Sequence, residues 1–173
     1  MSKNTHTTDV IVIGGGVIGL SVADALRREK LSVTLLERGY CGREASWAGA
    51  GILHFGSWHR RDPLVQLQRE SVTLYPDYAD DLRDRTGIDC EYNPCGNLEI
   101  LLEDQQLRMA RSEVKAAVAF QGKDGGATLE LLTPEQTRQI EPALTDKLLG
   151  AKHCPLSGQI RNPRLLKALL EAC

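Results

Sequence analysis

The sequence predicts an α/β chain: one strand–helix–strand unit at the N-terminus, then a mixed α+β region, with the pattern still open at the last residue. Three observations predict it. Residues 9–37, DVIVIGGGVIGLSVADALRREKLSVTLLE, set two short apolar runs on either side of a glycine turn and a helical segment. From Ile88 onward, short strand and helix patterns alternate without repeating that unit. Residues 162–173 then begin a helix that meets no stop signal. A doubly wound sheet needs more strands than the two in the first unit. The chain is therefore expected to be incomplete, with residues 1–87 the N-terminal part of a first domain. Residues 88–160 are expected to be part of a second domain, and 161–173 the start of a helix returning to the first.

The elements follow in order. Residues 1–8 are polar and expected to be disordered. Val10–Ile13 reads as a strand. A helix over 17–29 would bury Ile18, Val22, Ala25 and Leu26, which recur at helical spacing. A second strand, 32–37, is nearly all apolar, as in a parallel strand buried on both faces. Between strand and helix, Gly14 makes the tight turn, Gly16 lets backbone approach a pyrophosphate, and Gly19 lets the helix lie close on the strand. The pyrophosphate would sit at the helix N-terminus, where free N–H groups and the helix dipole favour an anion. Glu37 ends the second strand about 20 residues past the turn, where the fingerprint places an acid on the ribose. This is a Rossmann-like dinucleotide-binding unit. A carboxylate there suits NAD or FAD and repels the 2′-phosphate of NADP.

Residues 38–55, RGYCGREASWAGAGILHF, are rich in Gly, Ala and Ser. Small residues let backbone come close to something bulky and flat. Trp47, Ile52, Leu53 and Phe55 are expected to pack this segment as a binding loop. A nicotinamide enzyme has no need of it, so the loop favours FAD over NAD. A long helix is expected from Asp62 to Arg85, capped by Asp62, with Pro63 at its first position, Pro76 kinking or restarting it, and Gly87 ending it. Its apolar side would be Leu64, Leu67, Tyr75, Tyr78 and Leu82. A turn over 93–97 leads into a strand over 98–102. A helix over 104–120 would turn Leu107, Ala110, Val114, Ala117 and Val118 inward. A Gly and Lys loop (121–127) and a strand (128–132) follow. Thr133-Pro134-Glu135-Gln136 starts a capped helix that Pro142 ends. Strands are expected over 148–153 and 158–161. In the last helix Pro163 suits the first turn, and Leu165, Leu166, Leu169 and Leu170 supply an apolar face.

Composition excludes several function classes. The net charge of −2 gives no electrostatic case for nucleic acid or an anionic membrane. The longest apolar stretch, Val10–Leu20, is interrupted by glycines and too short to span a bilayer, so no integral membrane segment is expected. The N-terminus has no apolar signal region, and five cysteines are an odd number without repeated spacing. Free thiols in the cytoplasm are the expectation. Cys90, Cys95, His153 and Cys154 lack the paired spacings of a metal site, so no metal is expected. Asp77, Asp80, Asp81 and Asp84 read as the solvated face of a helix.

DVIVIGGGVIGLSVADAL, VTLLERG and GREASWAGAGIL together resemble the N-terminal part of the FAD-dependent D-amino-acid oxidase family. EASWAGAGIL, YPDYADDLRDRTGID, LTPEQTRQIEPAL and GQIRNPRLLKALLEAC are most similar to its glycine-oxidase branch, which serves thiamine biosynthesis. The likeness runs from Asp9 to Cys173. It implies FAD as cofactor and a small amino acid or amine as substrate. The substrate would lose a hydride from Cα to the flavin and become an imine, and oxygen would then take the electrons to give hydrogen peroxide. It implies that Gly14, Gly16, Val17 and Ile18 meet the pyrophosphate, with Gly19 behind them. Glu37 would bind the adenosine ribose, with Arg38 at the adenine end. Ala45 and Ser46 would hold the pyrophosphate and ribityl region, and Ala50, Gly51 and Ile52 would line the isoalloxazine ring. Residues 88–160 would belong to the substrate domain. The substrate-binding arginine of the family would lie beyond Cys173, so the catalytic residues are unknown and the portion alone would be inactive. His54, Trp58, His59, Arg60 and Arg61 are more basic and aromatic than the pattern leads one to expect; an exposed turn is the favoured reading, an active-site edge the other. A D-amino-acid dehydrogenase that passes electrons to a quinone and a non-enzymatic FAD-binding subunit are alternatives. A homo-oligomer is open for the full-length protein.

Overall fold

The computed structural model describes residues 7–55, 63–120 and 129–173. Asp62, Trp58, His59, Arg60, Arg61 and the 121–127 loop lie outside the described residues. The chain forms two compact units, each assembled from separate stretches: Met1–Gly51, Pro76–Tyr92 and Ile160–Cys173 make the first, Ile52–Tyr75 and Asn93–Gln159 the second.

In chain order the elements are β1 (Val10–Ile13), α1 (Val17–Arg28), β2 (Val33–Leu36), α2 (Ala45–Ala48), β3 (Ile52–Leu53), α3 (Pro63–Thr86) and β4 (Asn97–Leu101). Then come α4 (Asp104–Phe120), β5 (Glu130–Leu132), α5 (Pro134–Ile140), β6 (Gly150–Cys154), β7 (Gly158–Gln159) and α6 (Asn162–Ala172). In the first unit β1 and β2 pair in parallel, from Val10↔Val33 to Ile13↔Leu36. Before β1, Thr8 is tied down rather than disordered, since its hydroxyl donates to the Ser32 carbonyl at 2.8 Å. The expected burial of the second strand on both faces is not seen: Val33, Thr34 and Leu35 are half-buried and Leu36 is exposed. β1 alternates half-buried and exposed, and Ile13 is 85% exposed. Among the described residues each of the two strands pairs only with the other, so each is an edge, and α1 packs against both.

Helix α1 also buries a different face from the one expected. Leu20, Ala23 and Asp24 are buried, while Ile18, Val22 and Ala25 are exposed. The cause is α6, which packs on the Leu20 side and brings Leu165, Leu166, Ala168 and Leu169 inward. Leu170, expected inside α6, is exposed. Asp24 receives both terminal nitrogens of Arg85 at 2.8 and 2.9 Å and Arg28 Nε at 3.3 Å. Asp81 closes the ring with Arg85 Nε at 3.0 Å and with Arg28. The acidic run on α3 is thus not merely solvated: Asp81 joins this network, and Asp80 and Asp84 pair with Arg83 at 2.8 and 3.9 Å.

The C-terminus of α1 carries a strained residue. Leu31 N–H donates to the Leu26 carbonyl and Lys30 N–H to that of Arg27, the two bonds of a Schellman end. The residue between helix and strand, Lys30, sits at φ 64°, where glycine is the ordinary occupant. Lys30→Gly is therefore expected to stabilise the chain by about 1 kcal/mol, read as a rise in the thermal midpoint.

Helix α3 passes from the second unit to the first at Pro76. Of the kink or restart expected there, the restart does not occur: the helix is one element with Pro76 inside it. Its apolar side is Val65, Val72, Ala79 and Leu82; Leu64 and Leu67 are exposed. Residues 65, 72 and 79 are spaced by seven and stay on one side, from which 64 and 67 are rotated away.

The second unit is built on an antiparallel sheet in the order β4-β6-β5, with a separate pair β3-β7. Its core holds Phe55, Val72, Ala117, Leu129 and Cys154, with Leu53 and Val114 packed against them. Val118 of α4, expected inside, is exposed. Lys152 on β6 lies between Glu99 at 2.7 Å and Glu113. The start of α5 follows its sequence signal: Thr133 Oγ1 accepts from Gln136 N–H, and the Gln136 side chain accepts from Thr133 N–H, closing a capping box. That helix ends at Ile140, before Pro142.

Candidate functional site

The candidate site lies in the first unit, where β1 ends and α1 begins. Gly14 leaves the strand at φ 105°, and its N–H still donates to the Leu36 carbonyl at 2.8 Å. A side chain at Gly19 would put its Cβ 1.9 Å from the Gly14 carbonyl oxygen, so the close helix packing read from the sequence holds. Val12, Ile13, Gly14, Gly16, Val17, Ile18, Gly19, Val22 and Ser46 surround a hollow of about 360 Å³ at the N-terminus of α1. The exposed Ile18 and Val22 thus line this hollow rather than the core.

Gly16 is the residue before α1 and has no side chain to cap the helix. The cap comes from elsewhere in the chain: Val17 N–H donates to Ser46 Oγ at 3.1 Å. A hydroxyl oxygen therefore stands at the helix N-terminus, where an anion is favoured. Ser46 keeps its hydroxyl hydrogen to offer a phosphate oxygen.

Glu37 reaches back to the turn. Its Oε2 accepts from Gly15 N–H at 2.8 Å and its Oε1 from Gly39 N–H at 2.9 Å. Each carboxylate oxygen has a further lone pair for a ribose hydroxyl. These bonds, that from Gly15 first, hold the Glu37 carboxyl below its ordinary value of 4.5. Folding thus favours the charged form. Its contribution is complete above pH 4.5 and is lost as the pH falls through the depressed folded value. The turn is accordingly expected to keep its geometry at pH 4.5 and to loosen only in more acid solution. Glu37→Gln should remove that acid step, as followed by the Gly15 amide resonance across an acid titration.

The other residues read from the sequence divide. Ala45 and Ser46 lie on α2, with Ser46 half-buried. Arg38 and Ala50 are exposed, Gly51 is half-buried, and Ile52 belongs to the second unit, where it is 70% exposed. Of the large residues expected to pack the loop, Leu53 and Phe55 are instead packed in the core of the second unit. Trp47 is exposed and carries the Arg43 guanidinium 4.3 Å from its ring centre. His54 lies with Ile52, Leu53, Leu67, Gln68, Ser71, Val72 and Tyr75 around a second hollow of about 300 Å³ within the second unit. His153, adjacent to Cys154, faces Glu130 at 3.5 Å. Among the described residues no group of three or more His, Cys, Asp and Glu could hold a metal ion. All five cysteines are free, and no described helix is long and apolar enough to cross a membrane.

Two residues went unread. Gly15 is the unassigned middle of the glycine run, yet a Cβ there would lie 2.6 Å from Cys41 Sγ, and its carbonyl accepts from Gly42 N–H at 2.7 Å. Asn162, inside the motif RNP, donates from Nδ2 to the Ser46 carbonyl at 3.1 Å. The glycine run itself was a signal for the first. Nothing local signals the second, whose partner lies 116 residues away.

A glycine turn closed by an acid, a helix N-terminus capped by a hydroxyl and a hollow between them define a dinucleotide-binding α/β protein. The family of FAD-dependent oxidoreductases matches residues 9–173, and the chain belongs to it. The chain is 34% identical to glycine oxidase of Geobacillus kaustophilus over 97% of its own length and 44% of that protein's. It is 31% identical to the bifunctional protein ThiO/ThiG of Trichormus variabilis, over 96% of this chain and 24% of that protein. The crystal structure of glycine oxidase from Geobacillus kaustophilus superposes with a TM-score of 0.86 at 32% identity, over 97% of this chain and 44% of that one. The chain spans less than half the length of the curated relatives it matches. FAD is the cofactor of the family, and the residues fit it: the hollow begins at the pyrophosphate end of the fingerprint, and Glu37 and Ser46 both face the glycine turn.

Proposed function

We propose that the chain supplies the dinucleotide half of the FAD site in an amino-acid or amine oxidase of glycine-oxidase type, acting in the cytoplasm in thiamine biosynthesis. The observation that carries this is the approach of Ser46 and Glu37, from opposite ends of the 37–46 segment, to the two sides of one glycine turn. The likeness to glycine oxidases and to ThiO/ThiG supports the substrate class and the pathway. The five free cysteines accord with the cytoplasm. In this proposal the first unit serves flavin binding and the second the substrate domain, so that residues 52–75 go with the substrate domain and 88–92 with flavin binding, against the expected boundaries at 87/88 and 160/161.

In this reading the flavin, when bound, supplies the electron acceptor for the hydride of the substrate's α-carbon. The chain's own residues bind and orient. Gly14, Gly16, Val17 and Ile18 present backbone to the pyrophosphate, and Gly19 keeps α1 close behind them. Glu37 takes the ribose hydroxyls, with Arg38 at the adenine end. Ala45 and Ser46 hold the pyrophosphate and ribityl chain. Ala50 and Gly51, with Ile52 next in the chain, leave room for a flat ring. Titrating the chain with FAD, and separately with NAD, tests this by flavin fluorescence and by displacement. Saturable FAD binding that NAD does not displace is expected, and indifference to FAD overturns the reading. In the protein at its relatives' full length, glycine-dependent peroxide formation tests the reaction.

A further inference from the structure

We propose that Asn162 is a positioning residue for the flavin: its carboxamide holds Ser46, and so sets the loop 46–51 against the N-terminus of α1. The proposal rests on the flavin-site reading above. Helix α2 is a single turn, too short to persist by its own hydrogen bonds. It stops at Gly49, whose φ of −63° and ψ of 147° are extended, so no following turn offers an N–H to the Ser46 carbonyl. Asn162 Nδ2 supplies that donor at 3.1 Å. The same residue, Ser46, accepts from Val17 N–H through its hydroxyl. One side chain on α6 is thus two bonds from the point where the pyrophosphate is expected.

The approach is tight at both ends. A Cβ on Gly49 would lie 2.4 Å from Asn162 Nδ2. Gly51 sits at φ 72°, and a Cβ there would lie 1.9 Å from the Ile160 carbonyl oxygen. The Gly51 carbonyl in turn accepts from Ile160 N–H at 2.8 Å. Asn162 is itself fixed. Arg161 N–H donates to the Cys90 carbonyl at 3.0 Å, and Glu91 takes Arg161 at 3.1 Å and Arg164 at 3.3 Å. Pro163 follows Asn162 in the first turn of α6. The turn can therefore act as a fixed bracket for the loop.

The test is FAD affinity of the whole chain by flavin fluorescence, with the thermal midpoint measured without FAD and the visible absorption band of the bound flavin. Asn162→Ala is expected to weaken FAD binding about tenfold, the effect of one lost hydrogen bond, and to shift the band. Asn162→Asp, which keeps the shape and loses the donor, should do no better. Gly49→Ala should weaken FAD binding similarly by pushing the carboxamide aside, yet add almost nothing in the Asn162→Ala background. A lower thermal midpoint with FAD affinity unchanged overturns the proposal, as do additive losses in the double variant. If Asn162→Ala does not fold, Gly49→Ala decides alone, and unchanged affinity there overturns it. A parent chain that takes no flavin overturns the flavin site and this proposal together. A parent that binds FAD beside variants that bind it equally well overturns the role of Asn162 only.

Discussion

Gly16→Val is expected to leave a folded chain that no longer retains FAD. Gly16 has φ −77° and ψ −177°, an extended backbone that valine adopts without strain. An added Cβ would lie 3.2 Å from Ser46 Oγ, so that the Ser46 hydroxyl must give by a few tenths of an ångström to admit the side chain. It would project beside a hollow lined by Gly14, Val17 and Gly19, at the point where the helix N–H groups converge. Two methyl groups there take the space of the pyrophosphate and cut it off from those donors. Overpacking of this kind costs about 1–3 kcal/mol, or up to about a hundredfold in affinity. The check pairs FAD titration with the thermal midpoint of the flavin-free chain. Retained flavin would place the cofactor elsewhere, and a collapsed midpoint would make the residue structural. Glu37→Ala should weaken FAD binding less, because the turn keeps its other bonds.

Asp24→Ala is expected to lower the stability of the chain by about 3 kcal/mol. Asp24 is 2% exposed and is the shared acceptor for Arg85 and Arg28. Removing it strands two guanidinium groups that Asp81 alone must then satisfy. The fork of Arg85, bonded through both terminal nitrogens, loses both at once. Arg85 is only partly buried, so water recovers some of the loss, which keeps the figure at the lower end of what broken buried pairs cost. Urea denaturation measures the change. Asp24→Leu combined with Arg85→Met should recover most of it, since the penalty comes from the unpaired charge rather than from a missing attraction. A double variant no more stable than Asp24→Ala would contradict that account.

What was legible in the sequence was local. The glycine turn and Glu37 sit on consecutive elements, so spacing alone predicts that they meet. The Thr133 capping box closes within four residues and formed as read. The misreadings concern partners far along the chain. Ile18 and Val22 have the right spacing for a buried face, but α6 covers the Leu20 side, and the apolar residues left over line the hollow. Asp24 carries no local signal in the sequence, since its partner Arg85 lies 61 residues on. Leu64 and Leu67 look like core until the heptad spacing of Val65, Val72 and Ala79 is seen to be the one the packing uses. Asn162 stood in a motif that served to identify the family, and its carboxamide had no partner to suggest a role until Ser46 was placed.

The first unit is made of three stretches, the last of which starts at Ile160. During synthesis, Gly51 is translated well before its partner Ile160. At roughly 5–20 residues per second, the intervening stretch takes on the order of ten seconds to make. Through that interval Leu20 and Ala23 have no α6 to cover them, and the 46–51 loop has no bracket. The glycine turn and its acid can close early, because both belong to the first 37 residues. The cofactor site is therefore assembled in two instalments on the ribosome, the second beginning only once residues 160–172 have been made.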